Sequence, residues 1–436
     1  MAAPDAALTS SPVLDGLTPP APLPAGGPPL AGKAHAPWSE VILLACLSMF
    51  GSVSLDMYLP ALPGMARALH ASTAEAQSTV SVFLLGLAVG QLVVGPLSDR
   101  FGRRLPILGG AGLYCLASGL CAISTHVGLL VGARLLQALA ACAGSVVARA
   151  VVRDRYDDHE VLHVLSLLSL VFGVAPVLAP LVGGWVLGVA DWRWIFGVQA
   201  LFGLAAGTAA CFLLPESRSE ATRLQARAEN AAASYLALLR QPLLIGYLLT
   251  GGLAGAALFS YITSAPRMVI GEFHIAPARF GWVFGANAIG LIGAGQVNAR
   301  LARRIPADTL VQAALLAALA AATVLATCAW TGWGGMWGVL APLFVVISGL
   351  GFSQPNTTAA AMAVDRRRAG ATAALIGTVF FGVGSLSGVA TSLIPGRASV
   401  AMACVIIATL VLSLASYRVL ILSTRTADAD HIPSSS

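Results

Sequence analysis

Charge is what this sequence most lacks. Only 10% of its 436 residues are Asp, Glu, Lys or Arg, while 57% are hydrophobic; soluble domains carry about 25% charged residues. Mean hydropathy is +0.82. The shortage excludes a water-soluble fold and predicts an all-α integral membrane protein. Lysine is almost missing. Lys33 is the single one, against 24 arginines. No Gly-x-x-x-x-Gly-Lys-Ser/Thr loop is therefore present, which excludes ATP-driven chemistry at such a site. His-Glu-x-x-His, Gly-x-Ser-x-Gly and Cys/His clusters are also missing, so no enzyme, cofactor or metal site is expected. The seven cysteines all lie in apolar runs and read as packing residues rather than a disulfide framework. Net charge is +6. The arginines fall at segment ends, which points to membrane topology and not to nucleic acid.

What is present is a series of apolar runs. A spanning helix needs about 20 such residues. Twelve segments qualify: 39–61, 76–97, 105–124, 127–150, 161–188, 193–214, 242–265, 280–301, 308–330, 336–361, 370–394 and 399–421. With the N-terminus inside, nineteen of the 25 basic residues fall on the inner side and five on the outer, with Arg134 inside a span. Both termini are therefore expected in the cytoplasm. Residues 1–37, rich in Pro, Ala and Gly, and 422–436 are expected to be disordered cytoplasmic tails. The polar stretch 215–241, with a possible surface helix over Glu220–Glu229, is expected to link two six-span halves, 38–214 and 242–421. A repeat supports that division. Arg100-Phe101-Gly102-Arg103-Arg104-Leu105-Pro106 recurs as Arg300-Leu301-Ala302-Arg303-Arg304-Ile305-Pro306, 200 residues on. Duplicated halves are a known transporter architecture.

Acid is scarcer still inside the runs. Asp56, in Leu55-Asp56-Met57-Tyr58-Leu59-Pro60-Ala61-Leu62-Pro63, is the one carboxylate well inside an apolar span. Such a group costs roughly 2.5–3.5 kcal/mol to insert, which makes it a functional candidate. Arg134 is the matching cation, with Gln137 at i+3 on the same face. The expectation is that Asp56 and Arg134 sense each other and load or release a proton as the cavity opens. A structural ion pair is the plainer reading of Arg134. Cargo-contact candidates are Tyr58, Gln91, Gln137, Asn287, Gln354 and Asn356, each equally readable as interhelical packing glue.

Three further stretches are patterned. Gly95-Pro96-Leu97-Ser98-Asp99-Arg100-Phe101-Gly102-Arg103-Arg104 joins spans two and three. Gly173-Val174-Ala175-Pro176-Val177-Leu178-Ala179-Pro180-Leu181-Val182-Gly183-Gly184 places two prolines at i, i+4 in span five, where each removes a backbone donor and bends a helix. Asp191-Trp192-Arg193-Trp194-Ile195-Phe196 follows, suited to an interface anchor.

These residues carry a resemblance to the major facilitator superfamily. The Gly95–Arg104 loop resembles its signature loop. The resemblance implies a conformational latch built from Gly95, Asp99, Arg100, Gly102, Arg103 and Arg104, with Asp154 as partner. In the second-half copy Ala299 replaces the acid, so a latch there should be weak or absent. Gly173, Pro176, Pro180, Gly183 and Gly184 resemble the antiporter motif of drug exporters. Arg134 resembles the basic residue tied to proton coupling. The string Asp56–Pro63 is typical of the bicyclomycin-resistance branch of the twelve-span drug:proton antiporters. The resemblance covers residues about 39–421. It implies a monomeric exporter in a bacterial inner membrane that exchanges small, mostly apolar antibiotics for protons. The alternative is an exporter of one narrow metabolite class on the same scaffold.

Overall fold

A computed structural model describes residues 37–220, 222–224 and 230–423. The expected tails lie outside these, apart from Pro37 and residues 422–423, as does most of the surface helix expected over Glu220–Glu229. No strand occurs among the described residues. Eleven helices are long and apolar enough to cross a membrane, and a bent pair makes a twelfth.

That pair is span one. Trp38–Ser48 and Phe50–Ala68 meet at a 43° bend. The second piece is itself interrupted. The helix Phe50–Asp56 gives way to a 3-10 turn at Leu59–Ala61 and resumes as Leu62–Ala68. The prolines explain this: Pro60 cannot donate to the Asp56 carbonyl, nor Pro63 to the Leu59 carbonyl. The other spans are Thr73–Phe101, Arg104–Ala122, Val127–Arg155, Asp158–Val189, Arg193–Leu213, Pro242–Ala265, Pro277–Leu301, Ala307–Thr331, Gly335–Val364, Ala369–Leu393 and Ala398–Ser416. Spans seven and twelve each end in a π-helical turn, Pro266–Glu272 and Tyr417–Leu422. A short helix, Ala231–Leu238, lies between spans six and seven. Several spans outrun their apolar windows. Span four continues to Arg155 and span two to Phe101, because helical hydrogen bonding persists where side chains become polar.

Spans one to six pack together, as do seven to twelve, and two seams join the halves. Along the first, spans two and eleven run side by side. Ser385 Oγ donates to the Ser81 carbonyl at 2.7 Å and Thr378 Oγ1 to the Ala88 carbonyl at 3.1 Å. Gly377 lets the Gln91 side chain lie against the facing backbone. Along the second, span five meets span eight. Gly281 lies against Leu181, Gly285 against Val177, and Gly184 against Pro277 and Ala278. Small residues permit these close approaches where no hydrophobic force separates helix from lipid.

Candidate functional site

Asp56 ends its helix beside the second seam and is 3% exposed. Gly183 of span five packs onto the Met57 carbonyl and, at 3.2 Å for an added Cβ, onto the Pro60 ring. The span-five motif thus holds the segment that carries Asp56 with one glycine and grips span eight with the next. From the opposite half, Tyr261 lies within electrostatic range of Asp56. Its ring stacks on Phe284 at 5.4 Å, and its hydroxyl oxygen accepts a hydrogen bond from Asn287 Nδ2 at 3.2 Å. Asn287 Oδ1 is buried without a hydrogen-bond partner.

Arg134 is fully buried. Its Nη1 donates to the Ser54 carbonyl at 2.9 Å and to Gln137 Oε1 at 2.7 Å. Gln137 in turn donates to Ser118 Oγ and Gln199 Oε1, and Gln199 donates to the Val53 carbonyl. The guanidinium carbon stands 4.2 Å from the Phe83 ring centre, 4.8 Å from that of Tyr58 and 5.8 Å from that of Phe196. Desolvated contacts of this kind are each worth about 2 kcal/mol or more. Arg134 Nε and Nη2 find no acceptor. The expected Asp56–Arg134 pairing is therefore not formed as an ion pair. Arg134 lies against carbonyl, amide and ring faces, and reaches the span-one backbone at Ser54 rather than the Asp56 carboxylate.

The six expected cargo contacts separate. Tyr58 is buried, its hydroxyl 3.1 Å from Thr79 Oγ1. Gln137 belongs to the network under Arg134, and Asn356 bonds Asn298 Oδ1 at 2.8 Å within the second half. Asn287 holds Tyr261. Gln91 sits on the first seam. Gln354 donates to the Gly251 carbonyl at 2.6 Å and lines a small crevice with Tyr247, Thr357 and Phe380.

The loop between spans two and three forms a compact charge cluster. Arg103 reaches Asp99 and Asp154, each at 2.7 Å, and donates to Ser98 Oγ at 2.7 Å. Two participants come from beyond the motif. Arg218 Nη1 donates to Asp99 Oδ1 at 2.6 Å. Glu216 accepts from the backbone N–H groups of Arg103, Arg104 and Arg218 at 2.8, 3.2 and 3.1 Å. Gly102, at φ +91°, turns the chain here, and a side chain on it would collide with the Glu216 carboxylate. Partial burial alone would raise the Glu216 carboxyl. The three N–H donors outweigh it, and the group titrates below the usual glutamate range. The sequence signal was small: one acid and one arginine directly after Pro215. A side chain at Gly95 would meet open space, and its carbonyl accepts from Ser98 Oγ at 2.8 Å. In the second-half copy Arg303 and Arg304 remain exposed.

Residues 42–389 match the Major Facilitator Superfamily. The chain belongs to that superfamily. It is 30% identical to a bicyclomycin resistance protein homolog of Haemophilus influenzae, over 80% of this chain and 87% of the relative. It is also 30% identical to a chloramphenicol resistance protein of Pseudomonas aeruginosa, over 86% and 90%. The fold matches a D-xylose–proton symporter with TM-score 0.71 at 13% identity, covering 86% of this chain and 97% of the symporter. As a multi-pass member of this superfamily, the protein is a membrane transporter for small molecules.

Proposed function

We propose that this protein exports small, mostly apolar antibiotics of the bicyclomycin or chloramphenicol kind in exchange for protons, by alternating access. The observation that carries the reading is Asp56. It is the only described acid away from the end of a span, and it is closed in at the seam where span five grips both span one and span eight. A carboxylate enclosed with no cation against it is cheapest to hold with its proton on. Parting the seam exposes it to water on one side and lets the proton leave. Arg134 positions the span-one backbone at Ser54, two residues before Asp56. The cluster around Arg103, with Asp154 and Glu216, holds the loop face closed or open as a latch. The arginine bias supports an inner membrane location with both termini in the cytoplasm. The path lies between the halves of one chain, which supports a working monomer.

The test is retention of radiolabelled chloramphenicol in a pump-deficient bacterium expressing the chain. Expressing cells should expel the drug and resist it, and a protonophore should abolish both effects. Efflux that ignores the protonophore would sink the proton-exchange reading. Normal proton release with resistance to no member of an antibiotic panel would favour the narrow-metabolite alternative.

A further inference from the structure

Pro96 leaves a gap in the hydrogen bonding of span two. In an α-helix the Leu92 carbonyl accepts from the N–H of residue 96, and proline has none. The proline ring also crowds that carbonyl, so its donor must come from elsewhere. An unpaired carbonyl in apolar surroundings is costly. The donor comes from the linker between the halves. Tyr235 Oη, on the short helix Ala231–Leu238, donates to the Leu92 carbonyl at 3.1 Å. Contacts between spans two and eleven run along the first seam in order: Ser81 with Ser385, Ala88 with Thr378, and Gln91 with Gly377. Leu92 follows Gln91, so Tyr235 docks where this series reaches the loop face.

The linker is fastened to both halves. Near its start, Glu216 and Arg218 hold the loop between spans two and three. Near its end, the helix packs against span eleven, with Leu238 fully buried. Asn230 caps this helix, its side chain accepting from the Ala233 N–H at 3.2 Å. The Leu239 N–H then bonds the Tyr235 carbonyl at 2.9 Å and the Gln241 N–H the Leu238 carbonyl at 3.1 Å, which leads directly into span seven at Pro242. The helix is thus built onto the second half, and Tyr235 reaches back to the first. Burial, with Asp99 nearby, pushes the Tyr235 phenol above its usual range, so it keeps its proton and remains a donor. A passive tether between two spans needs none of these attachments.

We propose that the linker is a strap across the loop end of the first seam and that Tyr235 is its catch. With the catch on Leu92, spans two and eleven are held together at that end. Releasing it lets the halves part on the loop side, where entering water takes over the Leu92 carbonyl. The gating role rests on the alternating-access reading; the strap itself does not.

The test uses the full chain in lipid nanodiscs and proteoliposomes, as wild type, Tyr235→Phe, Pro96→Ala and the double variant. Amide hydrogen exchange over residues 231–239 reads the catch directly. Tyr235→Phe keeps the ring and loses the hydroxyl, and should speed this exchange about fivefold. Pro96→Ala gives the Leu92 carbonyl a helical donor of its own and should also weaken the catch. Adding Tyr235→Phe to it should then change exchange by less than about twofold. Unchanged exchange in Tyr235→Phe, or effects that simply multiply in the double variant, would overturn the strap. Chloramphenicol transport reads the gate. In Tyr235→Phe the half-saturating concentration on the loop side and the maximal rate should both fall about twofold or more, because the state open on that side is favoured. Faster exchange with both transport constants unchanged would overturn the gating role and return Tyr235 to packing. A wild-type protein that moves no chloramphenicol defeats the exporter reading, while the exchange measurement still decides the strap.

Discussion

Arg134 and Glu216 show how one side chain fixes several others. Arg134 uses the planar spread of its guanidinium, donating along one edge while three rings flank it. Lysine supplies the charge but not the fork or the stacking plane. Arg134→Ala would strand the Ser54 carbonyl and Gln137 Oε1, at about 1–3 kcal/mol for each buried group left unpaired. It should also shift the pH dependence of drug binding, because it frees the backbone beside Asp56, and Arg134→Lys should only partly restore the profile. Drug binding titrated against pH checks this; an unchanged profile in both variants would leave Arg134 a packing residue. Glu216 makes a prediction of the opposite kind. Its carboxyl titrates below the ordinary range, so its contribution is complete above about pH 4.3 and fades as pH falls through the lower folded value. The wild-type melting temperature should decline in that acid window more than that of Glu216→Gln. At neutral pH the variant should be less stable by about 1 kcal/mol, after allowance for solvent screening. Matching acid profiles would remove Glu216 from the clasp.

At the scale of elements, spans one and five matter most. Span one is broken because prolines 60 and 63 interrupt its hydrogen bonding, and span five fits the break because Gly183 has no Cβ. Gly183→Leu should force the two apart, at roughly 1–3 kcal/mol of overpacking. Drug efflux should fall at least tenfold while the protein still reaches the membrane. Drug efflux at matched membrane expression checks this; wild-type efflux with Leu at 183 would show that the contact is incidental. Much of this level was legible in the sequence. The apolar runs are long, and each has a helix that overlaps it, because a segment of that length in hydrocarbon has no other backbone partners than its own. The bend at Met49 was not legible, since no proline lies there and only the small residues Ser48, Gly51 and Ser52 interrupt the apolar run around it. The Arg134 surroundings were not legible either. Ser54, Phe83 and Phe196 against Arg134, and Gln199 against Gln137, come from three other spans, and nothing local in sequence pairs them. The loop cluster was half legible: Asp99, Arg103 and Asp154 meet as expected, whereas Glu216 and Arg218 arrive from a stretch that reads as plain linker.

For the whole molecule, the proposed alternating access has the two halves rocking about the small-residue contacts of the two seams. In that proposal a buried acid at such a seam ties the position of the halves to a proton. That is the central claim, and Asp56→Asn tests it most directly. The asparagine keeps the shape and removes the titration. Wild-type protein in proteoliposomes should concentrate chloramphenicol when a pH gradient is imposed and should release or take up protons when drug is added without one. The variant, reconstituted at equal density, should bind drug yet do neither. Chloramphenicol concentrated against its gradient by Asp56→Asn would contradict the account.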